Sequence, residues 1–247
     1  MEIDRVAPTR RPDGPPAGFQ KWRSLLFVHW ELPAAALQAL LPPALTVDTF
    51  EGRTYVGLVP FAMHDVRPTR WLPPAPTARD FLETNLRVYV HAGGRDPGVW
   101  FLSLDAASSL AVLAARTFFH LPYWRARMDC LRSGDEVRYR SQRLWAGDAR
   151  ASLDVRYTVG EELGIAPVGT LEHFLVERYC LYTAPARDRL LRLRVHHRPY
   201  PLRRARVQAV DESLVAAAGV DRHAAIASEL WSEGVDVEIF SAERVRP

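Results

Sequence analysis

The feature that most constrains this chain is the spacing of its apolar, β-branched and aromatic runs. They are short, they recur along nearly the whole length, and tight turns rather than long helices join many of them. ETNLRVYVHA and VWFLSLD flank GGRDPG, a β-hairpin signal. RARMDCL and EVRYRSQRL, joined by Arg132-Ser133-Gly134-Asp135, read as a second hairpin. Trp22–Trp30 and RTYVGLVPFAMHDV, the latter entered through Glu51-Gly52, read as strands upstream. ASLDVRYTV, YCLYT, LLRLRVHHR, PLRRARVQAV and VDVEIF read as strands downstream, and LLRLRVHHR alternates apolar and basic as a half-exposed strand does.

Helical signals are few. AAALQALL follows Pro33 and stops at Pro42-Pro43. GTLEHFLVERY and ESLVAAAG are short. A longer helix is expected from Ala106 to Phe119, capped by Asp105. Its residues are nearly all small or apolar, so it is expected to be buried on most sides, plugging or crossing a sheet. RPTRWLPPAPTAR reads as a proline-rich loop. Long helices do not alternate with strands, which disfavours a parallel βαβ fold. The pattern predicts an α+β fold: one mainly antiparallel sheet, curled or closed around a cavity, with a few short helices.

The first 18 residues, MEIDRVAPTRRPDGPPAG, read as a flexible Pro-rich arm, and residues 19–247 as a single domain. The arm lacks an apolar signal core, and no apolar run reaches the roughly 20 residues that span a bilayer. A cytoplasmic protein without a membrane partner is expected. Cys130 and Cys180 sit in apolar strand-like runs and are expected as buried, reduced thiols. A formal charge of +3 is too mild to imply nucleic acid. The densest basic run, RLRVHHRPYPLRRARV, reads as a solvated sheet face carrying Arg192, Arg194 and His196, followed by Arg203, Arg204 and Arg206. Of the 32 basic residues only Lys21 is a lysine. Arginine stays protonated and forms no imine, so amine chemistry would have to use Lys21.

Several phrases together resemble the bacterial DUF2071 or YqjF-like family: FVHWELPAAALQALLPPALTVDTFEGRTYVGLVPFAM, ETNLRVYV, PGVWFLSLDAASSLAVLAAR, LPY, GTLEHFLVERYCLY and HHRPYPL. They span Trp22 to Phe240 in order. The resemblance implies the acetoacetate decarboxylase-like superfamily, with a cone-shaped antiparallel β-barrel around a buried pocket, and self-association, for which an exposed strand edge would be one route. In true acetoacetate decarboxylases a Gly-Arg-Glu phrase precedes Pro-Lys-Lys. The first lysine makes a Schiff base, and its neighbour lowers its pKa. On this sequence the arginine matches Arg116 and the proline Pro122, while the lysine pair falls on Tyr123 and Trp124. The acidic residue after the arginine becomes Thr117, and the acidic residue of the earlier hairpin matches Glu83. A phenol and an indole form no imine, and Lys21 lies beside the arm, where a protonated amine is the default. Schiff-base decarboxylation is therefore not expected, and the resemblance implies a pocket without naming a reaction.

Arg116, on an apolar helix, reads either as a clamp for a substrate carboxylate or enolate or as one half of an internal salt bridge to Glu83. Glu83, Asn85 and Arg87 alternate on one strand and share a face. Pointing inward they form a binding wall, pointing outward a solvated face; the match of Glu83 favours inward. Glu83 would then act as general acid or base. Tyr123 would donate to a developing oxyanion. His120 reads as a proton exchanger or a packed turn residue. Glu172, His173, Glu177 and Arg178 share one short helix, where a structural ion pair between His173 and Glu177 or a contact at the pocket edge is expected. HExxH and zinc-type Cys/His spacings are absent, adjacent His196 and His197 face apart, and no phosphate or dinucleotide loop occurs, so neither metal nor cofactor is expected.

The sequence thus predicts a small-molecule-pocket protein for an anionic or carbonyl-bearing ligand. One reading is a Schiff-base-independent lyase, hydratase or isomerase. Glu83, Arg116 and Tyr123 would be catalytic, and Asn85, Arg87, His120, Trp124, Glu172 and Arg178 would bind substrate. The other is a non-catalytic ligand-binding or sensing module with the same hollow.

Overall fold

In the computed structural model, which describes residues 3–67, 69, 71, 79–144, 150–186 and 189–245, both hairpins read from the sequence are present. The chain begins with β1 (Gly18–Glu31), α1 (Ala34–Gln38), the two-residue β2 (Thr46–Val47) and β3 (Tyr55–Arg67). β4 (Asp80–Ala92) and β5 (Arg95–Ala106) form the first hairpin, turning at Gly93-Gly94, both at positive φ. After α2 (Ser109–Phe118), β6 (Tyr123–Ser133) and β7 (Glu136–Arg143) form the second. Next come β8 (Ser152–Gly164), α3 (Leu171–Val176), β9 (Cys180–Ala186) and β10 (Arg189–His196). The chain ends with β11 (Leu202–Glu212), α4 (Leu214–Ala217), β12 (Ile226–Ile239) and β13 (Glu243–Arg244).

All the strands belong to one sheet, ordered β13-β10-β9-β5-β6-β7-β8-β11-β12-β1-β3-β4-β2. Further pairings of β4 with β5 and of β10 with β12 curl it into a ring-like sheet. Neighbours run antiparallel except where β5 meets β6 and β9. The two ends of the order, β13 and β2, are two residues each, so they offer little open edge for another chain.

β1, β3 and β4 carry near-continuous apolar strings because both of their faces are buried. Leu26, Val28, Val56, Leu58, Leu86 and Val88 pack with Tyr139, Val155 and Tyr157 of β7 and β8. The alternate residues Phe27, Val59, Phe61 and Tyr89 pack with Phe174, Leu175 and Val176 of α3 and with Tyr179 and Tyr200. Each fully buried side chain of this kind contributes roughly 1.5–3 kcal/mol.

The ring is interrupted along β5. A single edge of that strand serves two others: Val99 and Trp100 pair with β9, while Leu104–Ala106 pair with β6. Phe101, Leu102 and Ser103 lie between and have no strand partner on that edge. β6 and β9 therefore diverge and leave a cleft. Thr183 Oγ1 ties across it by donating to the His120 carbonyl at 2.9 Å. His120 itself has φ of +52°, a left-handed conformation unusual for a side-chain-bearing residue.

Several expectations need correction. α2 lies on the rim rather than plugging the sheet: Leu113 is 64% exposed and Leu110 43%. Its cap is Ser108, whose hydroxyl accepts from the Ala111 N–H at 3.2 Å, because Asp105 is taken by a distant arginine. Cys130 is exposed and Cys180 buried, both as free thiols. The last long strand begins at Ile226 rather than Val235. The segment read as a flexible arm lies against the body from Ile3 onward. Arg5 pairs with Asp48 at 2.5 Å, Arg11 with Glu238 at 2.6 Å, and Arg194 donates to the Arg10 carbonyl at 3.1 Å. The basic run keeps the partly solvated face expected of it, with surface pairs from Arg192 to Asp96 and Glu243 and from exposed Arg204 to Glu161. Most of the proline-rich loop lies outside the described residues.

Candidate active site

Strand alternation aims Glu83, Asn85, Arg87 and Tyr89 of β4 at the core beneath α3, and the first three are buried to 3%, 7% and 8% exposure. Opposite Leu104, the first residue of β6 is Tyr123. Its phenol donates to Glu83 Oε2 at 2.9 Å. Tyr139 fixes the same residue from the other face, donating to the Glu83 carbonyl at 2.9 Å. Burial pushes the Glu83 carboxyl up to about 8, nearby Asp105 adds to the rise, and the Tyr123 hydrogen bond opposes it. The Tyr123 phenol is held well above its ordinary value by burial and by Glu83. That upward shift favours a protonated acid beside a phenol over a carboxylate awaiting a cation.

Tyr123 also forms part of the cleft between β6 and β9, a cavity of about 630 Å³ whose lining includes Arg116, His120, Trp124, Trp100, Phe101, Tyr182 and Thr183. Four residues singled out from the sequence, Arg116, His120, Tyr123 and Trp124, thus meet at one cavity. Glu83 joins them through the Tyr123 hydroxyl.

Arg116 does not pair with Glu83. It is exposed near the end of α2, with its guanidinium carbon 5.8 Å from the Trp124 ring centroid. A neutral Glu83 needs no counter-ion, and water solvates a charge on the rim. The buried arginine beside Trp124 is instead Arg143, which grips Asp105 with Nη2 at 2.8 Å and Nε at 3.1 Å, both side chains being nearly inaccessible. Its guanidinium carbon lies 4.8 Å from the same Trp124 ring. Burial raises the Asp105 carboxyl while Arg143 lowers it, with burial the larger effect.

Asn85, Arg87, Glu172 and Arg178 do not line the cleft. Arg87 donates to the Leu175 carbonyl at 3.0 Å and so ties β4 to α3. Asn85 Oδ1 is buried without a hydrogen bond. Arg178 is buried against Asp48 at 2.8 Å, and Glu172 sits in the first turn of α3. The ion pair expected between His173 and Glu177 is absent. α3 ends at Val176, so Glu177 turns away to accept from the Tyr179 hydroxyl at 2.5 Å and the Tyr200 N–H at 2.9 Å. His197 faces inward, stacked 4.4 Å from Tyr179, and burial lowers its pKa to about 4.

The sequence reading missed Asp105 and Arg143 as a pair, and Trp100, Tyr182 and Thr183 as cleft walls. Arg143 had a signal: EVRYRSQR has period-2 burial, which sets Val137, Tyr139, Ser141 and Arg143 on one inward face. Among the described residues no cluster of three or more His, Cys, Asp or Glu could hold a metal, and no helix is long and apolar enough to cross a membrane.

Comparison with known proteins agrees with this architecture. The solved acetoacetate decarboxylase of Legionella pneumophila superposes with a TM-score of 0.64 at 14% identity, covering 97% of this chain and 92% of that one. An acetoacetate decarboxylase-like enzyme from Sphingomonas wittichii RW1 gives 0.61 at 16% identity, covering 94% of each chain. The enduracididine biosynthesis enzyme MppR, solved in complex with pyruvate, gives 0.59 at 13% identity, covering 96% of this chain and 92% of that one. At such identities the likeness speaks for the fold, which is acetoacetate decarboxylase-like. In sequence, the uncharacterized protein YqjF of Bacillus subtilis (strain 168) is 39% identical over 209 residues, 85% of this chain and 84% of that one. Residues 19–236 match DUF2071, described as an uncharacterized conserved protein (COG2071). With that match covering most of its length, the chain belongs to the DUF2071 family.

Proposed function

We propose that this protein is an acid/base enzyme of the lyase, hydratase or isomerase kind, acting without a Schiff base on an organic acid or other carbonyl compound held in the cleft between β6 and β9. The observation that carries the reading is the 2.9 Å hydrogen bond from Tyr123, at the wall of that cleft, to buried Glu83, whose burial favours the protonated acid. With its proton in place Glu83 can reverse the bond and donate to the Tyr123 oxygen. The phenol O–H is then released toward a substrate carbonyl oxygen, where charge develops on enolisation or addition. On enolisation the substrate oxygen takes up a proton from Glu83 through Tyr123, while solvent water entering the cleft accepts the proton leaving the α-carbon. Ketonisation returns the oxygen's proton to Glu83 by the same route, and the carbon is reprotonated from solvent. Arg116 at the rim anchors a substrate carboxylate, while His120 and Trp124 complete the walls. The pyruvate complex of the fold neighbour MppR supports a carbonyl acid as the substrate class. Lys21 takes no part, being paired with Asp65 at 3.1 Å. The proposed setting is the cytoplasm and the proposed substrate a dissolved small molecule.

The test is exchange of protons α to the carbonyl in a panel of 2-oxo and 3-oxo acids in D₂O, monitored by proton NMR. The native chain is expected to accelerate exchange above background, and Glu83→Gln and Tyr123→Phe to lose it by about 100-fold or more. Exchange that persists in both variants sinks the proposal. So does a panel that binds without exchanging, which would favour the ligand-binding module instead.

A further inference from the structure

The proposed reading makes the cleft a ligand site; its walls say more about which ligand. A cavity of about 630 Å³ falls within the roughly 300–1,000 Å³ typical of pockets that enclose drug-sized molecules, several times what a three-carbon acid fills. Trp100, Trp124, Tyr182 and Leu102 give it broad apolar walls. Among the described residues that line it there is no carboxylate, and Arg116 is the only permanently charged side chain.

Arg116 is also poised rather than spent. Arg143 and Arg116 both approach the Trp124 ring, at 4.8 and 5.8 Å from its centroid. Arg143 is paired with Asp105, whereas no described carboxylate lies within salt-bridge reach of Arg116. Contact with the indole restricts the guanidinium while leaving its fork of N–H donors open to an anion. Beside it, the edge of β5 at Phe101–Ser103 offers peptide groups that no strand takes up.

We infer that the cleft takes a monocarboxylate bearing a flat aromatic body, of the aryl 2-oxo acid class. The carboxylate sits on Arg116, the ring lies against Trp124 and Trp100, and the carbonyl is turned toward Tyr123. This rests on the cleft being the site proposed above, and it excludes small aliphatic oxo acids as the preferred ligand.

Isothermal titration of the full chain with phenylpyruvate, pyruvate and the uncharged 4-phenyl-2-butanone separates the contributions. Phenylpyruvate is expected to bind at least about 10-fold more tightly than either of the others, a difference of about 1.4 kcal/mol. Arg116→Ala should weaken phenylpyruvate about 10-fold and leave the ketone unchanged; Trp124→Leu should weaken both aromatic ligands and leave pyruvate unchanged. Pyruvate binding as tightly as phenylpyruvate, no binding of phenylpyruvate, or affinities indifferent to both substitutions would overturn the inference. The two proposals fail separately. Phenylpyruvate that binds as expected but shows no Glu83-dependent exchange defeats acid/base catalysis and keeps the ligand class. Glu83-dependent exchange of pyruvate without phenylpyruvate binding does the reverse.

Discussion

At the scale of single residues, Glu83 decides how this protein answers pH. Its carboxyl ordinarily titrates near 4.5 and is raised to about 8 in the fold. Between those values the folded chain holds a proton that the unfolded chain has released, so stability is full below about 4.5 and declines as pH climbs toward 8. At about 1.4 kcal/mol per pKa unit the loss is of order 5 kcal/mol at most. Asp105 and Glu177 are raised by burial too and act in the same direction. Urea unfolding of the native chain and Glu83→Gln, each at pH 5 and pH 8, isolates the Glu83 share. The native chain should lose more stability between the two conditions than the variant; equal losses would mean that Glu83 is ionised in the fold. The same scale shows where the sequence was opaque. Glu83 and Tyr123 were legible because the family resemblance aligned them. That Arg143 and not Arg116 is buried was not, since Arg116 follows an apolar stretch and Arg143 a charged one, and only the alternation of β7 and the path of α2 along the rim decide which one meets water.

At the scale of elements, turn chemistry carried the hairpins: Gly93-Gly94 and Gly134 adopt the positive φ that the sequence signals demand. α2 misled because its small and apolar composition suits a buried helix, yet Leu110 and Leu113 face out over the cleft's rim. Asp105 was a fair cap by type, but a buried guanidinium from β7 outcompetes a helix N–H for a carboxylate. β12 was half missed because AIASELWSEG lacks the β-branched density of VDVEIF and is held by long-range pairing with β1. The sharpest prediction at this scale concerns the junction of β5 and β9. A Cβ on Gly98 would lie 2.4 Å from the Cys180 carbonyl oxygen. Gly98→Ala should push β9 off β5 and cost about 3 kcal/mol, measured as a fall in urea midpoint. An unchanged midpoint would show that β9 shifts freely and that the cleft wall yields to a single methyl group.

At the scale of the whole molecule, the sequence conveyed the sheet and its ring-like closure, but not that β1, β3 and β4 form a wall with a core on each face. Periodicity reports which strands are buried on both sides, not what covers them. Nor did it show that the N-terminal segment straps onto this body. Asp48, wholly buried, sits between Arg5 of that strap and buried Arg178. Asp48→Asn should cost about 3–5 kcal/mol, because it leaves Arg178 charged and unmatched. Arg5→Ala removes a partly exposed partner and should cost no more than about 1 kcal/mol. Thermal unfolding of the two variants checks the order; equal losses would mean the strap and the core pair act as one unit.

The edge that β5 lends to two strands has a final consequence. The doorway beside Tyr123 is framed by the main chain, so exchanging side chains along its jambs narrows or widens it without joining β6 to β9. Such exchanges alter only who is admitted, and evolution or an engineer could retune the visitor without rebuilding the house.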